Sequence, residues 1–377
     1  MEEDKQFETK YGDRVWNVKI YRAISPKLKE GINLFFSEHY PTVFRNDEAG
    51  LSLQWKIGQE NPFGQGFLAV ALLPQGEIVG IASATIRPVN LAGQTIFGIE
   101  VGDTFTAPEF RKSGRCREVL DPKKVNKTEF EIDYLSKSVF GRLMYEILIQ
   151  AQQNGFRIAY GTPNKLSLRP YQKRFQFGKV AEDRIYSLYV LGNNHKNLLN
   201  VIGKAQQAFL ILNYKLNKKS IEKIREMESN DWIEGYLKAN LSSIQKYSLL
   251  HKNAEYLRYR YVNHPFNRYT FYKYTDKNSV DKYFILKKRS STELQIVDFS
   301  QNTKNRDVLK IILFVNAMKE PGQKILIWRL LSKSGAFSFA MQGIVLRSNV
   351  TLISKHLIGN LPELEIDDLC IGDSDNG

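Results

Sequence analysis

The 377-residue sequence contains only two cysteines, Cys116 and Cys370, and neither lies in a Cys-x-x-Cys pair. This spacing indicates neither a zinc site nor a disulfide framework, so we expect no metal. The sequence also lacks a run of about 18 apolar residues, the length that a membrane-spanning helix needs. Its first residues, MEEDKQFETKYGDR, are charged and unlike a signal peptide. We therefore expect a cytoplasmic protein with no membrane span.

Hydrophobic residues make up 42% of the chain, and Lys and Arg give it a formal net charge of +14. This length and composition are sufficient for a buried core and favour two domains over one. The positive charge favours an acidic partner: a phosphorylated cofactor, an acidic carrier protein, nucleic acid or an anionic membrane surface. Simple solubility explains the charge equally well, so charge alone selects none of them.

Apolar periodicity predicts alternating helices and strands in the first half, which favours an α/β or α+β fold. The predicted elements are a helix at 25–40, a hairpin at 66–86, a strand at 94–106, a helix at 138–155, a strand at 156–164, and a short helix followed by a strand at 167–177. Ser25 and Ser138 are expected to cap their helices, and Gly155 is expected to end the second one.

The second half repeats this order of elements after a basic amphipathic helix at 193–220. Its predicted elements are a hairpin at 268–274 and 280–288, a strand at 293–299, a helix at 307–322 and a strand at 324–331. Only the element order marks the repeat, since the two halves share no evident sequence identity. We therefore expect a first domain at 1–192, a helical connector at 193–250 and a second domain at 251–377.

A basic turn follows the strand at 94–106. The stretch VGDTFTAPEFRKSG leaves the strand at Pro108 and brings Arg111, Lys112 and Gly114 close together. Glycine lets backbone N–H groups approach an anion closely, and nearby cations add to the attraction. The turn is a candidate anion site; the alternative interpretation is a solvated surface turn, because motifs this short often match by chance.

The succession of hairpin, strand, basic turn, helix and strand resembles the GNAT superfamily of acyl-CoA-dependent N-acyltransferases. In that family a motif R/Q-x-x-G-x-G/A leads into a helix. The residues that match its first four positions are Arg111, Lys112, Ser113 and Gly114. The next two residues depart from the motif, and we interpret 115–137 as an insertion, either a solvated loop or a lid beside the cofactor. The pattern resumes at Ser138, Val139 and Phe140.

The resemblance is good over 60–180 and weaker over 250–377. It implies an α/β fold with two tandem GNAT-like domains, each a mixed twisted sheet flanked by helices, the second of them degenerate. It also implies acyl-CoA as cosubstrate, with its pyrophosphate at the helix N-terminus and its pantetheine paired to a strand edge. Besides the turn and Ser138–Phe140, the cofactor-binding residues implied are Thr104, Phe105, Thr106 and Asn164.

Glu100 is the first candidate for a general base. In a regular strand it shares one face with Gly98, Gly102 and Thr104, where the glycines leave room for a substrate, while Phe97, Ile99, Val101 and Phe105 pack on the other face. Asp103 is the rival candidate, because a β-bulge between the two acids would exchange the faces. The alternative for Glu100 is an exposed acid on a strand edge.

Tyr171 lies seven residues after Asn164. It matches the family tyrosine that protonates the departing thiolate of coenzyme A, a role that suits a phenol. Pro170 puts the match in question, because proline favours the first turn of a helix and the helix then begins near Ser167. The alternative is a core aromatic residue packed beside Phe175 and Phe177.

The second half has no glycine in SQNTKNRDVL (300–309), where the turn motif is expected, so we expect it to bind no coenzyme A. The segment 254–269 is aromatic and basic. We interpret it as an acceptor-binding wall, or alternatively as a helix that packs into the core. The acceptor-binding candidates are Arg258, Arg260, Tyr261 and Arg268.

Together these features predict an N-acyltransferase that moves an acyl group from acyl-CoA to a primary amine of a sizeable acceptor. An amino sugar nucleotide is slightly favoured over a Lys or ornithine side chain of a peptide with a fatty acyl donor. Two alternatives remain: a Fem-like transferase that uses aminoacyl-tRNA, and a non-catalytic binding module with the same fold. The intact R-x-x-G motif argues against the tRNA alternative, so we expect nucleic acid not to be a partner.

Overall fold

The computed structural model describes residues 8–11, 14–44, 48–91, 93–111, 138–181, 185–190, 198–240, 249–275, 278–300, 303, 305–320, 323–330, 344–347 and 351–358. The chain forms two compact units. Unit 1 comprises Met1–Pro88, Ile96–Gly178 and Ile353–Leu361, and unit 2 comprises Val89–Thr95, Lys179–Leu352 and Pro362–Gly377.

Unit 1 is built around one sheet with helices packed on it. In chain order the elements of the first sheet and its helices are β1 Glu8–Tyr11, β2 Arg14–Tyr21, α1 Pro26–His39, α2 Glu48–Ile57, β3 Phe67–Leu72, β4 Ile78–Leu91, β5 Gln94–Thr106, a 3-10 turn Pro108–Phe110, α3 Val139–Gln153, β6 Ile158–Gly161, α4 Lys165–Phe175 and β7 Gly178–Ala181.

Unit 2 contains the remaining elements up to residue 347. They are β8 Ile185–Val190, α5 Leu198–Ile221, β9 Arg225–Met227, α6 Ser229–Asn240, α7 Ala254–Leu257, a π-helical turn Arg258–Val262, β10 Tyr269–Thr275, β11 Asp281–Ser290, β12 Glu293–Phe299, α8 Asn305–Met318, β13 Lys324–Leu330 and β14 Ile344–Arg347. A last strand, β15 Leu352–His356, pairs antiparallel with β6 of unit 1.

Both sheets are mixed. The first has eight strands in the order β1-β2-β3-β4-β5-β6-β15-β7, and the second has seven in the order β14-β8-β13-β12-β11-β10-β9. Parallel pairing occurs between β5 and β6 in the first sheet and between β12 and β13 in the second. In each unit a helix connects the two parallel strands, as a parallel crossover requires. The predicted α/β class with two similar units is confirmed.

Local sequence signals set the helix ends of unit 1. Ser25 caps α1 by accepting a hydrogen bond from the Leu28 N–H, and Ser138 caps α3 by accepting from the Gly141 N–H. After α3 the chain turns at Gly155 with φ +79°, a conformation that favours glycine. The predicted caps and the predicted stop are therefore confirmed.

The core of unit 1 lies between the sheet and the apolar stripe of α3. Val139, Leu143, Ile147 and Ala151 are each fully buried, which the four-residue recurrence predicts. Burying one such Leu or Ile side chain stabilises the fold by about 1.5–3 kcal/mol. Unit 2 has its own core, in which α8 packs against its sheet and α5.

The compact units differ from the predicted segments 1–192, 193–250 and 251–377. The helical connector belongs to unit 2, and residues 353–361 return to unit 1. A strand that pairs with a partner about two hundred residues earlier leaves no local signal, so its place in the first sheet cannot be derived from element order. Phe97, which the alternation pattern assigned to the packed face of β5, is 54% exposed.

Candidate active site

The parallel strands β5 and β6 separate near the middle of the first sheet. They pair at Ile99 with Ala159 and at Glu100 with Tyr160, but β5 continues to Thr106 whereas β6 ends at Gly161. At Gly161 an added Cβ would lie 2.8 Å from the Val101 carbonyl oxygen, so glycine permits this close approach. The end of β5 therefore has an edge that β6 does not cover.

Asp103 interrupts the alternation of β5. Its φ is +44°, an uncommon backbone conformation for a residue other than glycine. Beside it, a Cβ added at Gly102 would meet no described atom within 4 Å, so there is open space at this point of the strand. Because the backbone is irregular here, side chains no longer alternate regularly between the two faces of β5 at Asp103.

Glu100 is buried against a cation. Its Oε2 lies 3.2 Å from Nε of Arg87, and both side chains are almost completely inaccessible. The buried guanidinium of Arg87 pairs with this carboxylate, so the carboxylate is not free to bind a substrate. Neither predicted role, exposed edge acid or accessible base, matches this environment.

The Asp103 side chain is 10% exposed and lies next to the open space at Gly102. Its Oδ2 accepts hydrogen bonds from Nζ of Lys56 at 2.7 Å and from Oγ of Ser83 at 2.8 Å. Lys56 comes from the last turn of α2 and Ser83 from β4, so two other elements fix the carboxylate. The backbone of β5 from Gly102 to Thr106 remains partly exposed.

Tyr171 is both a core aromatic residue and a polar group beside β5. Its ring packs edge-on against Phe140 and Phe177, and its hydroxyl lies 3.2 Å from Oγ1 of Thr104 and 3.4 Å from Sδ of Met144. Burial raises the pKa of Tyr171 to about 12; the hydrogen bond with Thr104 opposes this, and the charge of Asp103 adds to it.

The helix that carries Tyr171 begins earlier than Pro170 suggested. Lys165 is its first residue, and Oδ1 of Asn164 accepts a hydrogen bond from the Ser167 N–H. Asn164, a predicted cofactor residue, therefore caps α4. Pro170 lies inside the helix, and Tyr171 follows it in the second turn.

The Tyr40 hydroxyl forms hydrogen bonds with the backbone of Thr106, the last residue of β5. Its hydroxyl accepts from the Thr106 N–H at 3.1 Å and donates to the Thr106 carbonyl oxygen, while Nη2 of Arg111 donates to it at 2.7 Å. The Ala107 N–H bonds to Val79 of β4, so the N–H of Thr106, one residue earlier, points away from β4. Thr106, a predicted cofactor residue, is thus bonded within unit 1.

The N-terminus of α3 has a positive environment. Its first turn contains no acidic residue, and Oγ of Ser138 accepts from Nη1 of Arg174 at 3.1 Å as well as from Gly141. Val139 is buried in the core and Phe140 packs on Tyr171. A helix N-terminus with a nearby cation suits an anion. Lys112, Ser113, Gly114 and the insertion 115–137 lie outside the described residues.

Several residues of this site carry no signal in the sequence. Lys56, Ser83 and Arg87 come from α2 and β4, and only the folded sheet brings them to the acids of β5. Tyr40 ends α1 and meets β5 through tertiary packing alone. Helix and strand periodicity predicts which face a residue occupies, but not which side chain of another element it contacts.

Unit 2 holds a related but closed arrangement. β12 and β13 pair in parallel up to Ile296 and Ile327, and Asp298 follows in a fully buried position. Nζ of Lys252 lies 2.9 Å from its Oδ1, and the Tyr261 hydroxyl donates to its Oδ2 at 2.6 Å.

The four predicted acceptor residues of unit 2 divide into two pairs. Arg260 and Tyr261 are buried, whereas Arg258 and Arg268 are exposed. Tyr261 contributes to the buried cluster of unit 2, and its ring contacts Tyr269. The helix interpretation of this segment therefore describes Arg260 and Tyr261 well.

In the part of the chain that the structure describes, no group of three or more His, Cys, Asp or Glu side chains is arranged to hold a metal ion. Within those same ranges, no helix has the length and apolar character needed to cross a membrane.

Comparison with known proteins identifies the fold. No protein-family model matches the sequence, and no curated protein matches it significantly. A protein of unknown function from Enterococcus faecalis V583, a probable N-acyltransferase, aligns with a TM-score of 0.53 and 12% identity over 91% of this chain and 73% of its own.

Two further solved structures are GCN5-related N-acetyltransferases. The one from Anabaena variabilis has a TM-score of 0.52 and 13% identity, covering 90% of this chain and 73% of that one. The one from Kribbella flavida has a TM-score of 0.54 and 10% identity, covering 90% and 72%. The chain therefore has the fold of these proteins, and the predicted GNAT resemblance is confirmed at the level of fold.

Proposed function

We propose that this chain is an N-acyltransferase that moves an acyl group from acyl-CoA to a primary amine of a sizeable acceptor. The proposal rests on one observation at the uncovered end of β5. There the Tyr171 hydroxyl lies within hydrogen-bond distance of Thr104, next to Asp103. A carboxylate and a phenol there offer one group to take a proton and one to give a proton. The fold neighbours support the same reaction class.

The proposed cofactor site combines the N-terminus of α3 with the basic turn before it. Arg111 and Arg174 supply cations, and the positive N-terminal end of the helix suits a pyrophosphate. When bound, acyl-CoA would supply an activated acyl group as a thioester. Because Thr106 is bonded to Tyr40, we assign the pairing with the pantetheine arm to the backbone near Thr104.

We propose Asp103 rather than Glu100 as the base. Glu100 is enclosed with Arg87, whereas Asp103 adjoins the open space at Gly102. Lys56 and Ser83 hold Asp103 through a single oxygen atom, Oδ2, and fix its orientation. A fixed carboxylate at an open strand end can receive an ammonium group and take its proton, directly or through water.

Tyr171 is the proposed acid. With a pKa of about 12 it is protonated at neutral pH, so it has a proton to donate to a departing thiolate. The hydroxyl of Thr104 and the sulfur of Met144 hold the phenol in place. Phe140 and Phe177 exclude water from the ring, which keeps the proton on the phenol until a base is formed beside it.

The acceptor remains a choice between two classes of amine. An amino sugar nucleotide needs cations for its phosphates, and the exposed Arg258 and Arg268 can supply them. A lysine or ornithine side chain of a peptide needs an extended groove and suits a fatty acyl donor. We favour the sugar nucleotide slightly, because Arg258 and Arg268 are both exposed cations within one aromatic and basic segment.

Release of free thiol from acyl-CoA tests the proposal, measured with short and long acyl chains against both acceptor classes. Asp103→Asn should lower kcat by about 10²–10⁴-fold, and Glu100→Gln serves as the matched neutral amide. The stability of both variants must be followed, because Glu100→Gln removes the buried charge that contacts Arg87. Acyl transfer that survives Asp103→Asn at the wild-type rate would refute the assignment of the base, and absence of transfer to every amine would refute the function.

A further inference from the structure

A groove of about 490 Å³ lies on unit 2 between α5 and α8. Its floor is formed by Leu210 and Leu313, which belong to the core of the unit. Ile211, Tyr214 and Ala317 form its walls. This volume is within the range of about 300–1,000 Å³ that is usual for small-molecule sites. No residue of the proposed acyl-transfer site contributes to it.

The surface around the groove is unusually apolar for an exposed helix. Ile211 is 53% exposed, Leu212 57% and Leu216 75%, all on α5 within six residues. Met318, which follows the groove residue Ala317 on α8, is 47% exposed. Single exposed apolar residues are common, but a cluster of this kind next to a groove marks a binding surface.

The rim of the groove is cationic. Lys215 and Lys218 line it, and among the described lining residues none is acidic. Lys218 has an exposed partner, Glu222, at 3.7 Å, but an ion pair in solvent at this distance is weak. Lysine stems can lie along apolar surface while their ammonium groups turn to a ligand at the rim.

We propose that this groove binds one free fatty acid, a carboxylate with a single alkyl chain. Its alkyl chain would lie on Leu210, Ile211 and Leu313, and its carboxylate would lie between the ammonium groups of Lys215 and Lys218. Apolar walls with cations at the rim are complementary to a single-chain anionic amphiphile. A flat bilayer surface would not fill a groove of this volume. The proposal does not depend on the acyl-transfer function.

Calorimetric titration of the full chain with laurate, below its micelle concentration, tests this proposal. We expect saturable binding at one site. Lys218→Glu should weaken it by about tenfold or more, because it replaces an attractive charge by a repulsive one. Ala317→Trp should abolish binding by filling the groove, and its side chain is exposed, so the core is not disturbed.

The matched control is Lys219→Glu, which makes the same charge change on the next residue of α5 but does not line the groove. Its laurate affinity should equal that of the wild type, and dodecyltrimethylammonium should bind more weakly than laurate. The proposal is overturned if laurate does not saturate, or if Lys218→Glu and Lys219→Glu weaken binding equally. Binding to anionic vesicles that is lost in Leu216→Asn but kept in Ala317→Trp would also overturn it, since that result indicates a membrane surface.

Discussion

The ends of β5 and β12 occupy equivalent places in the two units but differ in accessibility. Each strand follows a hairpin, pairs in parallel with the strand after the next helix, and carries an aspartate beyond the paired region. Residues 102–106 of β5 are all partly exposed, whereas residues 297–299 of β12 are all buried. The same framework is therefore open in unit 1 and closed in unit 2.

The side chains around the two aspartates explain this difference. Lys56 and Lys252 play similar roles, since each donates to the aspartate of its own unit. In unit 2 the Tyr261 hydroxyl bonds directly to Asp298 and completes its burial. In unit 1 the tyrosine hydroxyl bonds to Thr104 instead, and the Asp103 side chain keeps 10% of its surface exposed, whereas that of Asp298 keeps none. The lysine–aspartate pair thus belongs to the framework, and the position of the tyrosine distinguishes the units.

The N-termini of α3 and α8, the helices that connect the parallel strands, also differ in how well they suit an anion. The first turn of α3 has no acid, whereas that of α8 contains Asp307, which is 1% exposed. A buried carboxylate at a helix N-terminus satisfies the positive end of the helix dipole and repels a phosphate. The absence of glycine from 300–309 and the presence of Asp307 both argue against a second cofactor site.

The largest expected effect comes from replacing Tyr171 in unit 1 and Tyr261 in unit 2 by phenylalanine. Tyr171→Phe should lower kcat by about 10²–10⁴-fold with little change in cofactor affinity, because it removes the proposed proton donor. Tyr261→Phe should leave kcat unchanged and lower the free energy of unfolding by about 1–3 kcal/mol, because it removes a buried hydrogen bond to a carboxylate. Steady-state kinetics and urea unfolding of both variants measure this. Equal losses of kcat in the two variants would contradict the claim that only the tyrosine of unit 1 acts in catalysis.

Replacing the two lysines by methionine compares the two buried ion pairs. Lys252→Met should lower the free energy of unfolding by about 3–5 kcal/mol, because it removes the buried ammonium group that bonds both carboxylate oxygens of the fully buried Asp298. Lys56→Met should have a smaller effect on stability, because the Asp103 side chain is 10% exposed rather than fully buried and keeps its hydrogen bond from Ser83. Urea unfolding followed by circular dichroism gives both values. A larger stability loss for Lys56→Met than for Lys252→Met would contradict the conclusion that the end of β5 is more open than the end of β12.

Alkaline pH should produce a smaller effect that involves Tyr171. Its pKa is about 12 in the folded chain and about 10 when exposed, so the unfolded chain loses this proton first as pH rises. The stabilisation from burying the neutral phenol is present below pH 10 and decreases as pH rises from 10 towards 12. Tyr171→Phe should therefore show a shallower decrease of stability over this range. An identical pH profile in the variant would indicate that the phenol is exposed.

Local patterns predict much of this fold. The strand at 94–106 and the strand at 293–299 have the predicted bounds, and Ser25 and Ser138 cap helices as expected. These features depend on periodicity and on hydrogen bonds within a few residues, which are visible in one segment of sequence. The elements with a clear apolar pattern therefore follow from the sequence. Sequence patterns did not predict others, among them β2, α2, β8, α6 and β15.

The geometry of the candidate site depends on contacts between distant segments. Asp103 departs from strand alternation, so its relation to Glu100 is visible only in the fold. Tyr40 reaches Thr106 from sixty-six residues away, and β15 joins the first sheet from the far end of the chain. No short-range pattern encodes such contacts, which explains why Lys56, Arg87 and Tyr40 were absent from the predicted site.

The stoichiometry of coenzyme A binding tests the central claim, that unit 1 retains a cofactor site and unit 2 does not. Titration calorimetry of the full chain should give one molecule per chain. Gly114→Val should abolish this binding, because a bulky residue in the basic turn blocks close approach of the pyrophosphate. Two molecules per chain, or one molecule bound with unchanged affinity in Gly114→Val, would contradict the account.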